Sequence, residues 1–418
     1  MKQLEVMNFL NEVSSVFPDA ISLASGRPSE KLFEQIDIEK CKNVFLSHYA
    51  NKLDITLEKA HTLLLQYGPS AGIIRDLLSV HLKNDESIDA EEQDIIVTNG
   101  CQEALTMWCL NELKNPNDCV LTFDPSYIGL SGFVEATGKA VFPITYDFTT
   151  KFNADELSSC LDEQIKAVKS RGFNPKAIYV NGDFNNPLAY NMTEEQKSAL
   201  LDFCFRVGLQ IIEDNPYGLF SYLEHKERTM KSLDKHNIVY YIGSFSKSIC
   251  PALRVGYLVV PKGASDKRTQ LVALKSLISV NTSQVCQAVV GGYLLQNQVS
   301  LLPGVQKVLP DYKRQRDAIV AALDTHLSFD QNITWNIPQG GFFIVLQLPI
   351  SVSEQDVYTC AQEFGVIIMP VSFFSLDEEY NSRAIRLAFS NLDGTNLTEA
   401  VKRLAGFLKQ RIQKSESN

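Results

Sequence analysis

The sequence has 418 residues, 45% of them apolar and 21% charged, with a formal net charge of −10. At roughly 150 residues per domain this length predicts two or three folding units of ordinary globular composition. An acidic chain is poorly suited to nucleic acid, no stretch reaches the ~20 apolar residues of a membrane span, and residues 1–16 lack a charged segment leading into an apolar one, so no signal peptide is expected.

In chain order, the segment Val97-Thr98-Asn99-Gly100-Cys101-Gln102-Glu103-Ala104-Leu105 reads as strand, glycine turn and helix start, with the helix over 105–113. That arrangement makes an anion site from backbone N–H groups. Residues 119–123 form a short apolar strand ending at Asp124-Pro125, and 177–180 form another. Thr193 with Gln196 three residues on is a capping box, and the helix it opens runs to Gly208. Strands follow at 209–212 and 239–242, with further apolar runs such as 255–260. Strands alternating with helices predict a parallel sheet covered on both faces, with ligands beyond the carboxyl ends of the strands. From about residue 301 the pattern changes to a helix around 310–323 and strands at 341–347 and 385–389, a smaller α/β unit.

Three strands are followed at once by polar residues, at 181–186, 213–217 and 244–247, which would meet on one sheet edge. In Gly243-Ser244-Phe245-Ser246-Lys247-Ser248, a lysine follows a strand between serines, with Arg254 seven residues on. Serine hydroxyls and an arginine fork suit a phosphate, and a lysine able to lose its proton beside them suits Schiff-base formation. In Ile211-Ile212-Glu213-Asp214-Asn215-Pro216-Tyr217, Asp214 is either the partner of a buried positive group or a cap or turn former. Asn186, held extended before Pro187, either points its amide into a cleft or belongs to a plain turn. Cys101 is a small side chain in a phosphate loop or, less simply, a reactive thiol.

These segments, in this order, resemble the class I/II aminotransferases, the fold-type I pyridoxal-phosphate enzymes. The resemblance runs from Ile21-Ser22-Leu23-Ala24-Ser25-Gly26-Arg27-Pro28 to Arg383-Ala384-Ile385-Arg386-Leu387 and includes Gln66-Tyr67-Gly68-Pro69 and Pro338-Gln339-Gly340-Gly341-Phe342. It implies a large domain with a mostly parallel sheet and helices on both faces, over 61–300. It also implies a smaller α/β domain over 301–418, and an N-terminal segment, 1–60, that joins the small domain and closes the site. By the resemblance, Lys247 carries pyridoxal 5'-phosphate as a Schiff base and moves the substrate α-proton. Asp214 pairs with the ring nitrogen, and Asn186 and Tyr217 bond the phenolic oxygen. Tyr127 stacks on the ring. Gly100, Cys101, Gln102, Ser244, Ser246 and Arg254 hold the phosphate. Arg386 clamps the substrate carboxylate, with Gly26 and Asn186 beside it. Tyr67 reaches the phosphate of a neighbouring subunit, so a homodimer with shared sites is expected. The pattern is nearest to members acting on aminoadipate, aromatic amino acids or arylglycines, with an amino acid and a 2-oxo acid as substrates.

The sequence departs from the family where Leu188-Ala189 replaces the usual threonine-glycine; an alanine there predicts a turn without positive φ. The six histidines fall outside the matched segments and read as surface or core residues, and Arg27 either meets an acidic substrate or is a surface residue. Nine cysteines, never spaced as C-x-x-C, read as free thiols in a cytoplasmic protein without zinc, and the tail 409–418 reads as a solvated face. The same fold supports decarboxylases, lyases and oxygen-using deaminases or hydroxylases, so transamination is the leading reading rather than the sole one. A transcription regulator on this fold would need a domain ahead of residue 21, and a cofactor-free scaffold would not need Lys247 and Asp214 together.

Overall fold

The computed structural model describes residues 3–377 and 381–416, so the outermost residues of both terminal segments read above lie outside the described residues. A short strand β1 (Ile21–Ser22) precedes the main sheet. That sheet is built from β2 (Ile95–Thr98), β3 (Asp118–Phe123), β4 (Ala140–Ile144), β5 (Asn174–Val180), β6 (Gln210–Asp214), β7 (Val239–Ser244) and β8 (Gly256–Val259). Their order is β2-β8-β7-β6-β5-β3-β4. All are parallel except β8, which runs against both neighbours. The exception follows from the connection. Residues 245–255 carry the Lys247 loop and only a short 3-10 turn, Pro251–Leu253, with no crossover helix to bring the chain back parallel. β2, β3 and β8 are buried along their whole length, as expected of strands covered on both faces.

The capping box forms as read. Thr193 Oγ1 accepts from Gln196 N, Gln196 Oε1 accepts from Thr193 N, and the helix Glu194–Val207 stops at Gly208 with φ +73°. The helix placed at 310–323 is longer, Leu302–His326. It continues through Pro310 because Val305, Val308, Tyr312 and Ile319 on either side are all buried, and packing overrides the lost hydrogen bond.

Beyond it, β9 (Thr334–Trp335), β10 (Phe343–Gln347), β11 (Val366–Ile367), β12 (Met369–Pro370) and β13 (Ala384–Ala388) complete the strands. Four of them form a second sheet, β12-β13-β10-β9, and β1 pairs parallel with β11. Val6, Phe9, Val13 and Leu23 share one apolar core with Leu346, Leu387 and Leu404. The helices Ile38–Leu53 and Leu57–Leu64 pack instead with Val97 and Leu294 against the main sheet. The described part of 1–60 thus divides between the two sheets.

Candidate active site

The sheet order makes β5, β6 and β7 neighbours, so the polar residues after them do meet at one edge. They open into a cavity of about 420 Å³ that is also lined from the second sheet by Phe343, Met369 and Arg386.

Asp214 is the last residue of β6 and its side chain is buried. Tyr179 Oη donates to its Oδ2 at 2.8 Å, while Oδ1 has no hydrogen-bond partner. Burial pushes this carboxyl up to about 6, against the hydrogen bond from Tyr179 and the nearby Cys101 thiol, which both favour the anion. Asn181 braces the same corner. Its Nδ2 donates to the Asp214 carbonyl at 2.6 Å, and its Oδ1 accepts from Asn186 N at 2.7 Å.

Lys247 sits in the loop after β7, with Nζ donating to the Gly26 carbonyl at 2.8 Å and lying 5.9 Å from the centre of the Tyr217 ring. Burial lowers its pKa to about 8; the Cys101 neighbourhood opposes this, and Arg386, Arg254 and Arg27 add to it.

Arg254 Nη1 donates to Ser246 Oγ at 3.1 Å, and Ser246 N donates to Ser244 Oγ at 3.1 Å. Gly100, φ +77°, opens the helix Gly100–Glu112, and a Cβ there would lie 2.5 Å from Arg254 Nη2. Glycine is what lets the guanidinium reach this helix start. Gln102 Nε2 donates to the Gly129 carbonyl at 2.7 Å, tying the same helix to the loop of Tyr127. Burial, then the charge of Asp214, pushes the Cys101 thiol well up. It stays protonated, which fits a packing role and not a reactive one.

Arg386, on β13, is buried. Its Nη1 donates to Asn186 Oδ1 at 2.6 Å, its Nη2 donates to the Ala24 carbonyl, and its Nε has no partner. Phe343 and Phe374 flank the guanidinium at 4.2 and 4.8 Å from their ring centres. Burial lowers its pKa to about 10.

Residues 47–404 match the family described as aminotransferase class I and II. The chain belongs to the class I and II aminotransferases. This aminotransferase is 33% identical to the (S)-3,5-dihydroxyphenylglycine transaminase of Amycolatopsis orientalis, over 97% of this chain and 92% of that one. Among solved structures it superposes on the Pyrococcus horikoshii kynurenine aminotransferase crystallised with PMP, with TM-score 0.83 and 28% identity, over 98% and 95% of the two chains. The multiple substrate aminotransferase of Thermococcus profundus shares the fold at TM-score 0.84 and 24% identity, over 99% and 96%. The enzyme is therefore a pyridoxal-phosphate-dependent transferase acting on an amino acid and a 2-oxo acid, on the fold-type I architecture.

The residues of the aminotransferase fit that cofactor. A protonated ring nitrogen suits the unpartnered, buried Asp214 Oδ1. The phosphate suits the cradle of Ser244, Ser246 and Arg254, which a Cβ at Gly100 would fill. Of the residues expected from sequence, Gly26, Cys101, Gln102, Tyr127, Asn186, Asp214, Tyr217, Ser244, Ser246, Lys247, Arg254 and Arg386 all line the cavity. Gly100 stands behind Arg254, and Tyr67 is 85% exposed and outside the cavity. None of the six histidines lines it; His81 is buried against Asp85.

One expectation fails: Ala189 has φ +58°. Asn185 imposes it, by accepting from Leu188 N through Oδ1 at 2.9 Å and from Ala189 N through its carbonyl at 2.7 Å. The turn keeps its left-handed residue without glycine, at a cost of about 1 kcal/mol. Sequence reasoning placed Asn181 only within the polar run 181–186, without a role, and passed over Tyr179, Phe343 and Phe374; all four line the cavity. The one available signal was periodicity, since Tyr179 and Asn181 lie two apart and face the same side.

Proposed function

We propose that the cavity binds pyridoxal 5'-phosphate covalently through Lys247 and transfers the amino group of an L-amino acid to a 2-oxo acid. The observation that carries this assignment is the buried carboxylate oxygen of Asp214, without a partner, in the same cavity as a lysine of lowered pKa. When bound, the cofactor supplies an electron sink for charge that develops at the substrate α-carbon.

The chain's own residues do the rest. Lys247, once neutral, takes and returns the proton at the α-carbon, and its burial favours that neutral form. Asp214 holds the ring nitrogen, and Asn186 and Tyr217 hold the phenolic oxygen. Tyr127 covers the ring face. Gly100, Cys101, Gln102, Ser244, Ser246 and Arg254 hold the phosphate. Arg386 binds the substrate carboxylate as a fork and exchanges its contact with the Ala24 carbonyl for it. Gly26 borders the same carboxylate, and its own carbonyl releases Lys247.

For the substrate side chain we favour an aromatic or arylglycine group. Ile128, Phe343 and Phe374 supply apolar walls, Ser22 and Ser25 supply hydroxyls, and the Amycolatopsis relative is named for such a substrate. Arg27, also on the wall, would serve an acidic group. A homodimer is supported by apolar exposure at Leu65 (68%), Tyr67 (85%) and Leu277 (84%), and it gives Tyr67 a partner subunit's phosphate to meet. We also infer a large domain over 61–300 and a small one over 301–418, with the start of the N-terminal segment (Val6 to Leu23) joining the small one and the helix Ile38–Leu53 joining the large one. Nine free cysteines fit a reducing, cytoplasmic setting.

The test is to mix the enzyme with a panel of amino acids, follow loss of the visible absorbance of the lysine-bound cofactor, and identify products by mass. A 2-oxo acid with the amino group retained on the cofactor is expected. Release of carbon dioxide or uptake of oxygen in its place would refute the assignment.

A further inference from the structure

Tyr179 has no part in the roles above, yet its hydroxyl bonds directly to the carboxyl group that anchors them. It lies in β5, fully buried, and its hydroxyl donates to Asp214 Oδ2 across the strand pair at 2.8 Å. Asn181 fixes the Asp214 main chain from the same strand end, so the carboxyl group is held at both its backbone and one oxygen. The other oxygen, Oδ1, is buried and without a partner. The remaining titratable groups around the carboxyl are Cys101, Tyr127 and Tyr217, and burial pushes all of these up, as it does Tyr179. Every neighbour is therefore a neutral acid, and Tyr179 can act only as a donor.

A donor on one oxygen stabilises the carboxylate over the carboxylic acid. When a basic nitrogen meets the other oxygen, a single proton lies between two acceptors of similar strength. It can stay on the acid, giving a neutral hydrogen bond, or sit on the nitrogen, giving an ion pair roughly twice as strong. We infer that Tyr179 is a positioning residue for Asp214, whose hydroxyl saturates Oδ2 and thereby keeps the shared proton on the cofactor's ring nitrogen and not on Oδ1. This rests on Asp214 being the partner of that nitrogen, as proposed above.

The test compares two ligands on enzyme stripped of cofactor: pyridoxal 5'-phosphate, and its analogue with C–H in place of the ring nitrogen. Both keep the aldehyde, the phenolic oxygen and the phosphate. Wild type should prefer the natural cofactor. Tyr179→Phe should lower that preference about tenfold, the equivalent of about 1.4 kcal/mol, by weakening the natural cofactor while leaving the analogue within twofold. In ring-labelled cofactor, the nitrogen NMR signal should move toward neutral pyridine. Equal weakening of both ligands, or an unmoved nitrogen signal, overturns the role and leaves Tyr179 as packing.

Asp214→Ala is the control, and it should abolish the preference. If the preference survives in Asp214→Ala, the assignment of Asp214 itself fails. If it is lost there but intact in Tyr179→Phe, only the role of Tyr179 fails. Should the phenylalanine variant not fold, a ring-fluorinated tyrosine at 179 keeps the shape and strengthens the donor. It should move the nitrogen signal further toward the protonated value, and no movement overturns the inference.

Discussion

Replacing Gly100 by alanine probes the phosphate cradle by adding one methyl group behind Arg254, with no side chain removed. Two penalties follow from the geometry. With φ at +77°, an L side chain costs about 1–2 kcal/mol in backbone strain. The new Cβ would also stand 2.5 Å from Arg254 Nη2. A guanidinium is the far end of a flexible side chain, so it moves and the helix start does not. A displaced Arg254 loses its aim at the phosphate, and one hydrogen bond to a charged group is worth about 1.5–3 kcal/mol. Arg254 is exposed, so screening puts the loss at the low end, roughly tenfold in affinity. Gly100→Ala enzyme stripped of cofactor, titrated with pyridoxal 5'-phosphate by absorbance, should therefore bind about tenfold more weakly. Its affinity for the unphosphorylated aldehyde should be unchanged. A lowered melting temperature with unaltered cofactor affinity would refute the placement of the phosphate at Arg254.

Lys247→Ala should lose the visible absorbance of the lysine-bound cofactor and essentially all turnover, measured by spectrum and product assay; undiminished turnover would remove Lys247 from the chemistry. In wild type, the pKa of about 8 makes Lys247 mostly ammonium below that value. The rate at which stripped enzyme condenses with the aldehyde should therefore rise with pH and level off above about 8, and a flat profile from pH 6 to 9 would count against a lowered lysine. Arg386→Lys keeps the charge but loses the fork, and kcat/KM should fall about 10–100-fold through KM, the loss of one or two charge-assisted bonds; an unchanged KM would mean the carboxylate binds elsewhere. Asp85 gives a stability prediction far from the site. Burial raises its pKa, but bonds from His81, Leu301 N and Ser300 outweigh this and leave it lowered. Its stabilisation is thus complete above the unfolded value of 3.8 and fades as pH falls through the lower folded value. Asp85→Asn should lower stability at neutral pH by about 1–3 kcal/mol and flatten the acid limb, measured by urea unfolding at several pH values.

The site was legible wherever chemistry coincided with a strand end. Asp214, Lys247 and Asn186 each follow an apolar run, and burying a polar group there demands a reason that sequence alone can pose. Tyr179 was illegible because its ring passes for core, and only the neighbouring strand reveals what its hydroxyl meets. Phe343 and Phe374 were hidden the same way: they are buried like any core phenylalanine, and their contact with Arg386 depends on how β10 and the turn after β12 approach β13. The reversed direction of β8 turns on what fills a connecting loop, which periodicity does not report. Ala189 was misread because propensity describes a residue in isolation, while its φ is set by hydrogen bonds to Asn185.

The pairing of β1 with β11 has a mechanical consequence. Leu23 N donates to Ile367, and Ala388 N donates to the Leu23 carbonyl, so the strip carrying Ala24 and Gly26 is sewn to the sheet that bears Arg386. Lys247 and Asp214 belong to the other sheet. The strip and Arg386 are therefore anchored to one sheet, and the lysine loop that faces them across the cavity to the other. Bonds that join the two parts include Lys247 to Gly26 and Arg386 to Asn186 at the cavity, and Ser126 N to the Phe374 carbonyl, Leu376 N to Asp124 and Gly341 N to the Phe220 carbonyl beside it. On the function proposed above, the first two of these bonds end on groups that substrate and cofactor would claim, so ligand arrival would replace those two and leave the others to hold the parts together.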